Sequence, residues 1–245
     1  TYSTGLMKSG WAVTMSAIAR YADEGVTPGS FYNSWGYFLS AQKVFNKQHS
    51  LSFVTFGAPT KRTNSSAVAQ EAYDLASDNL YNPNWGWQNG KKRNAKVVEA
   101  FDPTAIINWV WKPKEGTTLN TGVGFRSSNY ASSALNWCNA SDPRPDYYRY
   151  LPSYYIDHQE EYDLYVDKWT NDESQRQIDW DNLYQTNYLA KEYAGQPSSV
   201  YILENRHSNQ VNYQLNSTFN TRLNDFMTLQ AGVGVNYSEA SYYKT

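Results

Sequence analysis

The sequence predicts an all-β chain: an antiparallel, up-and-down segment of a transmembrane β-barrel, about eight strands of a larger barrel, with long extracellular loops containing short helices. Three observations carry this. In Val211 to Ser238, Met227, Leu229, Ala231, Val233, Val235 and Tyr237 point one way while Thr228, Gln230, Gly232, Gly234, Asn236 and Ser238 point the other. Such period-two alternation, kept up for the ~9–11 residues that a tilted strand needs to cross a bilayer, offers one face to lipid and one to a watery lumen. The links between strands are alternately short and long, which matches the short periplasmic turns and long outer loops of bacterial barrels. Finally, no run approaches the ~18 apolar residues of a membrane helix. The longest apolar patch, Ala105 to Trp111, is broken by Asn108, so any crossing is made by strands.

Taken in order, Thr4 to Lys8 reads as the end of a strand and Lys8-Ser9-Gly10 as a tight turn. Trp11 opens a second alternation, with Val13, Met15, Ala17, Ala19 and Tyr21 outward and Arg20 on the lumen side. Its two aromatic ends suit the girdles of a barrel. A third strand sets Trp35, Tyr37, Leu39, Ala41 and Phe45 outward, with Lys43 near the membrane edge, where it can snorkel. The fourth, Leu51 to about Gly57, is the weakest, since Val54 and Phe56 fall inward. A long excursion, Ala58 to about Asp102, holds a helix capped by Ser65 or Ser66 and running through Ala76, then an aromatic turn segment, Tyr81 to Gly90, and the basic run Lys91 to Arg93. Thr104 to Lys112 and Thr118 to Arg126 are the fifth and sixth strands, a second excursion fills Ser127 to Ser198, and the last hairpin follows.

Composition limits the function. With 245 residues and a formal net charge of −2, the chain is long enough for one large β-domain and has no basic excess for nucleic acid. Cys138 is the sole cysteine, so an intrachain disulfide is impossible. The 22 Tyr and 9 Trp suit both membrane-interface girdles and sugar-binding surfaces. His49, His158 and His207 lack a zinc spacing and read as solvated. Asp157, Glu160, Glu161, Asp163 and Asp167 read as a solvated helix face rather than a calcium loop. With no nucleophile elbow either, the expectation is no enzyme, no metal and no cofactor. The ligand-binding candidates are the loop aromatics Tyr81, Trp85, Trp87, Trp137, Tyr147, Tyr148 and Tyr150, with Arg144 and Arg149. The alternative role for each is packing, because loops this long need a small core of their own.

Four stretches then matter together. They are Gly57-Ala58-Pro59-Thr60-Lys61-Arg62; the Ser65 to Leu75 run with Gln70-Glu71-Ala72-Tyr73; Tyr81 to Gly90 followed by Lys92-Arg93-Asn94; and Asp142-Pro143-Arg144-Pro145-Asp146-Tyr147-Tyr148-Arg149-Tyr150-Leu151-Pro152. As an ordered set spanning most of the chain they resemble the barrel region of TonB-dependent outer-membrane receptors of the Bacteroidetes type. The resemblance implies a 22-stranded barrel closed by an N-terminal plug, with a TonB box coupling uptake to the inner-membrane proton gradient. Neither plug nor TonB box is among these residues, so residues 1–245 are expected to be a partial barrel domain. The implied function is import of a scarce nutrient (iron chelate, cobalamin, glycan or peptide) across the bacterial outer membrane. Outer-membrane lipid, the TonB complex and the nutrient are the implied partners. The alternative is a small self-closed outer-membrane barrel that binds or adheres through its surface loops, and a soluble glycan-binding β-protein is a third.

Overall fold

A computed structural model describes residues 1–194 and 199–245. The strands are β1 (Tyr2–Ser3), β2 (Trp11–Ala22), β3 (Tyr32–Val44), β4 (His49–Gly57), β5 (Thr60–Thr63), β6 (Trp85–Gln88), β7 (Lys91–Asn94), β8 (Val97–Phe101), β9 (Thr104–Trp111), β10 (Thr117–Trp137), β11 (Tyr201–Arg222) and β12 (Thr228–Lys244). Three helices, α1 (Gln70–Ala76), α2 (Gln159–Asn171) and α3 (Trp180–Ala194), lie in the long links. The chain is therefore all-β, and its main sheet is antiparallel in the order β1-β2-β3-β4-β9-β10-β11-β12.

β5 and β8 continue β4 and β9. Phe56 pairs with Thr104 and Thr60 with Ala100, which is a single unbroken register. The ladder lapses between them because Pro59 and Pro103 have no N–H to donate. Their carbonyls still accept from Trp35 N at 3.3 Å and Ser127 N at 3.1 Å. Counted this way the sheet is an eight-stranded meander, with short turns at one end and the long links at the other.

Pairing gathers the alternation onto one face. The row Val13, Ala41, Phe53, Ile107, Val123, Leu215, Val235 crosses seven strands. On its loop side lie Met15, Leu39, Phe125, Tyr213 and Tyr237, and on its turn side Trp11, Leu51 and Trp109. Lys43 joins this row and reaches the turn end, donating to Ser9 O at 2.8 Å above the Trp11 ring. Among the described residues no layer covers the face, and Val123 is 50% exposed and Val235 59%. The chain's fully buried side chains, Trp169, Ile178 and Val98 among them, lie instead in the long links and at their junction with the sheet. The opposite face carries Gly122, Gly124, Asn108, Gln214 and Asn216, with one apolar patch where Phe38 faces Phe56 and Val54 faces Ile106.

Several boundaries differ from the sequence reading. β10 runs on to Trp137 and β11 starts at Tyr201, so the second excursion is shorter than Ser127 to Ser198. Residues 195–198 of that expected excursion lie outside the described residues. From Ser127 to Ser133 every residue but Tyr130 is small or polar, so pairing persists after alternation has vanished. The first excursion shortens likewise, because β5 and β8 belong to the sheet. The helix expected from Ser65 or Ser66 starts only at Gln70, without a side-chain cap. Ser66 Oγ is used elsewhere: Asn84 Nδ2 donates to it at 2.9 Å and Lys96 Nζ at 2.7 Å. His49 is in β4, not a solvated link, and stacks against Trp109 and Trp111 at 5.8 and 6.2 Å.

Candidate functional site in the loop cap

The long links pack on one another. The β6–β7 hairpin turns at Asn89-Gly90, both at positive φ (49° and 74°), which is the two-residue turn that matches strand twist. Ile178 N donates to Trp85 O at 2.8 Å, so the segment before α3 lies against the hairpin. Contact there is so close that a β-carbon on Gly86 would sit 1.9 Å from Ile178 O. Gly29, at φ +67°, makes a similar approach to the Trp85 ring from the β2–β3 link. That link is fastened by Asn82 Nδ2 donating to Pro28 O and Asn94 Nδ2 to Gly29 O, at 3.1 and 3.0 Å.

The nine candidates separate into three environments. Tyr81 and Trp85 are buried: Tyr81 meets Trp169 edge-on at 5.7 Å and donates to Arg176 O at 3.0 Å. Burial also pushes the Tyr81 phenol far up in pKa. These two are packing residues. Trp137 and Arg144 line a small cavity of about 160 Å³, with the guanidinium 5.7 Å from the indole and bonded to buried Asp142 at 2.6 Å. Beside them Asp146 Oδ1 is buried without a partner, and burial raises the pKa of that carboxyl.

The remaining five, Trp87, Tyr147, Tyr148, Arg149 and Tyr150, are all at least partly exposed. Tyr147 contacts Tyr148 and Tyr150 at 4.7 and 5.3 Å, and Tyr148 contacts Tyr154 at 5.4 Å. Arg149 Nε donates to Tyr148 Oη at 3.0 Å and thereby lowers the phenol's pKa. Trp87, half-exposed, and Tyr150 line a cavity of about 540 Å³ together with Tyr165, Lys168, Asn182 and Tyr201. On the hairpin, Lys92 Nζ lies 5.7 Å from the Trp87 ring, and Arg93 stacks 4.1 Å from Trp180 and donates to Tyr184 Oη at 2.9 Å. The cap thus offers aromatic faces, amides and cations to a ligand of a few hundred cubic ångströms.

Tyr165, Lys168 and Asn182 were not legible as lining residues. Tyr165 and Lys168 come from α2, where the exposed Glu160, Glu161, Asp163 and Asp167 masked their signal, and Asn182 comes from α3.

No family model matches the chain, and no curated protein matches it in sequence. Among solved structures it is similar to the ferric-catecholate import receptor Fiu from E. coli K12, with 9% identity and a TM-score of 0.49, over 98% of this chain and 31% of that one. It is similar to the siderophore receptor PiuA from Acinetobacter baumannii, with 10% identity and a TM-score of 0.49, over 97% of this chain and 27% of that one. A Pseudomonas aeruginosa FadL homologue matches more weakly, with 12% identity and a TM-score of 0.32, over 93% of this chain and 46% of that one. The chain spans less than a third of the length of the two receptors.

Proposed function

We propose that this chain is part of the barrel of an outer-membrane receptor of the TonB-dependent kind, of the Bacteroidetes type that its loop stretches resemble, and that it imports a scarce nutrient captured by the loop cap. The observation that carries the reading is the uncovered apolar face. A seven-strand belt of Val, Ile, Leu, Phe and Tyr facing water would be far larger than the exposed patches soluble monomers tolerate. Flanked by Trp11, Trp109 and Trp111 at one end and Tyr37, Tyr213 and Tyr237 at the other, it has the profile of a lipid-facing surface with two aromatic girdles.

Partial-barrel character is favoured over a self-closed barrel by the sheet edges. Among the described residues β12 pairs with β11 only, and β1 with β2 only. An unpaired edge in hydrocarbon costs several kcal/mol for each unsatisfied group, so further strands complete the wall. Energy coupling to TonB follows from the resemblance, and the cap serves as the ligand vestibule.

The test uses cells expressing the full receptor. Uptake of a labelled ferric chelate, cobalamin, an oligosaccharide and a peptide is compared with and without a protonophore. The expected result is protonophore-sensitive uptake of one of the four, reduced at least tenfold by Trp87→Ala with Arg149→Ala. Uptake of none, or uptake indifferent to the protonophore, overturns the proposal.

A further inference from the structure

Just beyond the belt, on the same lipid-facing side and toward the loops, one cross-strand row changes character. It reads Asn33, Lys61, Glu99, Ala131, His207, Tyr243, continuously paired from β3 through β5, β8, β10 and β11 to β12. Six strands at about 4.8 Å spacing make it roughly 24 Å wide. This row and the one below it, which carries Trp35, Phe101, Asn129 and Asn209, line a trough of about 590 Å³.

We infer that this trough is a binding site for the saccharide headgroup of an outer-leaflet glycolipid. The inference rests on the transmembrane reading above, which puts this row at headgroup height, continuous with the lipid-facing belt. Its side chains suit a sugar. His207 and Tyr243 lie parallel, ring centroids 4.5 Å apart at 6°, and make an aromatic platform at one end. Asn209 Nδ2 donates to Tyr243 Oη at 3.4 Å and so orients the phenol. Lys61 and Glu99 pair at 2.6 Å, both about half exposed, and offer a donor and an acceptor side by side to hydroxyl groups. Ala131 leaves the floor open between the ion pair and the platform, while Trp35 closes the other end. The charges of Lys61 and Glu99 cancel, so a compact phosphate meets a carboxylate beside its cation and gains little. Polyols, which need mixed donors, acceptors and an apolar ring face, gain from all of these groups.

The test uses protein extracted from membranes in a zwitterionic detergent without a sugar group. A diglucosyl diacylglycerol and phosphatidylglycerol are titrated, with retained lipid read by native mass spectrometry. The wild type is expected to hold the diglucosyl lipid at least tenfold more tightly than phosphatidylglycerol. Tyr243→Ala, which removes the platform, and Ala131→Trp, which fills the floor, each reduce that preference at least fivefold, and Lys114→Ala in a distant turn leaves it unchanged. Equal affinity for the two lipids, or variants that retain the preference, overturns the site. Membranes are washed with alkaline carbonate beforehand. Protein released by that wash overturns the transmembrane reading and the site with it, whereas retained protein without lipid preference overturns the site alone.

Discussion

Val123→Arg separates a lipid-facing belt from a water-facing one by the sign and size of a single number. Val123 sits midway along the apolar part of β10, four residues from Leu119 in the His49–Trp111 row and four from Ser127. At about 3.3 Å per residue and a tilt near 40°, it lies roughly 10 Å from either border, near the midplane. An arginine on the lipid face at that depth costs about 2–4 kcal/mol. At about 1.4 kcal/mol per tenfold change, this lowers the folding equilibrium constant roughly 30- to 1,000-fold. Gln214→Arg is the control: it is one row away on the neighbouring strand, but on the opposite face beside Gly124. There the guanidinium meets water, and the change stays within about 0.5 kcal/mol. Urea unfolding in lipid vesicles, followed by tryptophan fluorescence, measures both. Equal values for the two variants, or a loss below 0.5 kcal/mol for Val123→Arg, would refute the assignment of this face to lipid.

Three further outcomes concern the cap. Gly86→Ala drives a methyl group into the Ile178 carbonyl and is expected to cost about 1–3 kcal/mol or more, seen as faster proteolysis of residues 140–190 with the sheet intact. Trp169→Ala removes a buried indole that donates to Tyr150 O at 2.7 Å, costing the cap about 3–5 kcal/mol, read by hydrogen exchange in α2. Asp146 supplies the pH dependence: its folded pKa is raised by burial, so the folded cap holds this proton to higher pH than the unfolded chain does. Its contribution is therefore most favourable below the unfolded carboxyl's pKa and is lost as pH rises through the interval up to the folded value. Asp146→Asn should accordingly stabilise the cap at neutral pH and give no advantage in acid, a difference that proteolysis at two pH values detects.

The sheet was legible because an apolar face and a polar face write a two-residue period into each strand, as in Thr228 to Ser238. The period vanishes beyond the apolar belt, toward the loops. Ser127 to Trp137 therefore reads as loop and Tyr201 to Gln210 is left unassigned, although together they form the upper half of the longest strand pair. Pro59 and Pro103 hid two more strand segments, since each proline also marks a loop in most contexts. In the cap, residue type identified aromatic candidates but not their burial. Tyr81 and Trp87 look alike in sequence, yet one fills the core and the other faces a cavity, because that depends on where Trp169 and Ile178 arrive from about ninety residues away.

The β10–β11 pair sets the order in which this wall can assemble. β9–β10 and β11–β12 are joined by links of a few residues, whereas Trp137 and Tyr201 are joined by the whole second excursion. A connection about twelvefold longer adds about 2 kcal/mol of closure entropy, so the two short hairpins form early and their mutual seam closes late. When it closes, the small polar stretch Ser127 to Ser133 scarcely distinguishes correct alignment from a two-residue slip. Alignment must be fixed at the far end, where Thr117 and Thr221 hydroxyls meet at 2.7 Å and Thr121 and Ser217 at 2.8 Å. The seam is thus expected to zip from the turns toward the loops, and Thr117→Val with Thr221→Val should lengthen the slow folding phase more than it lowers the final stability.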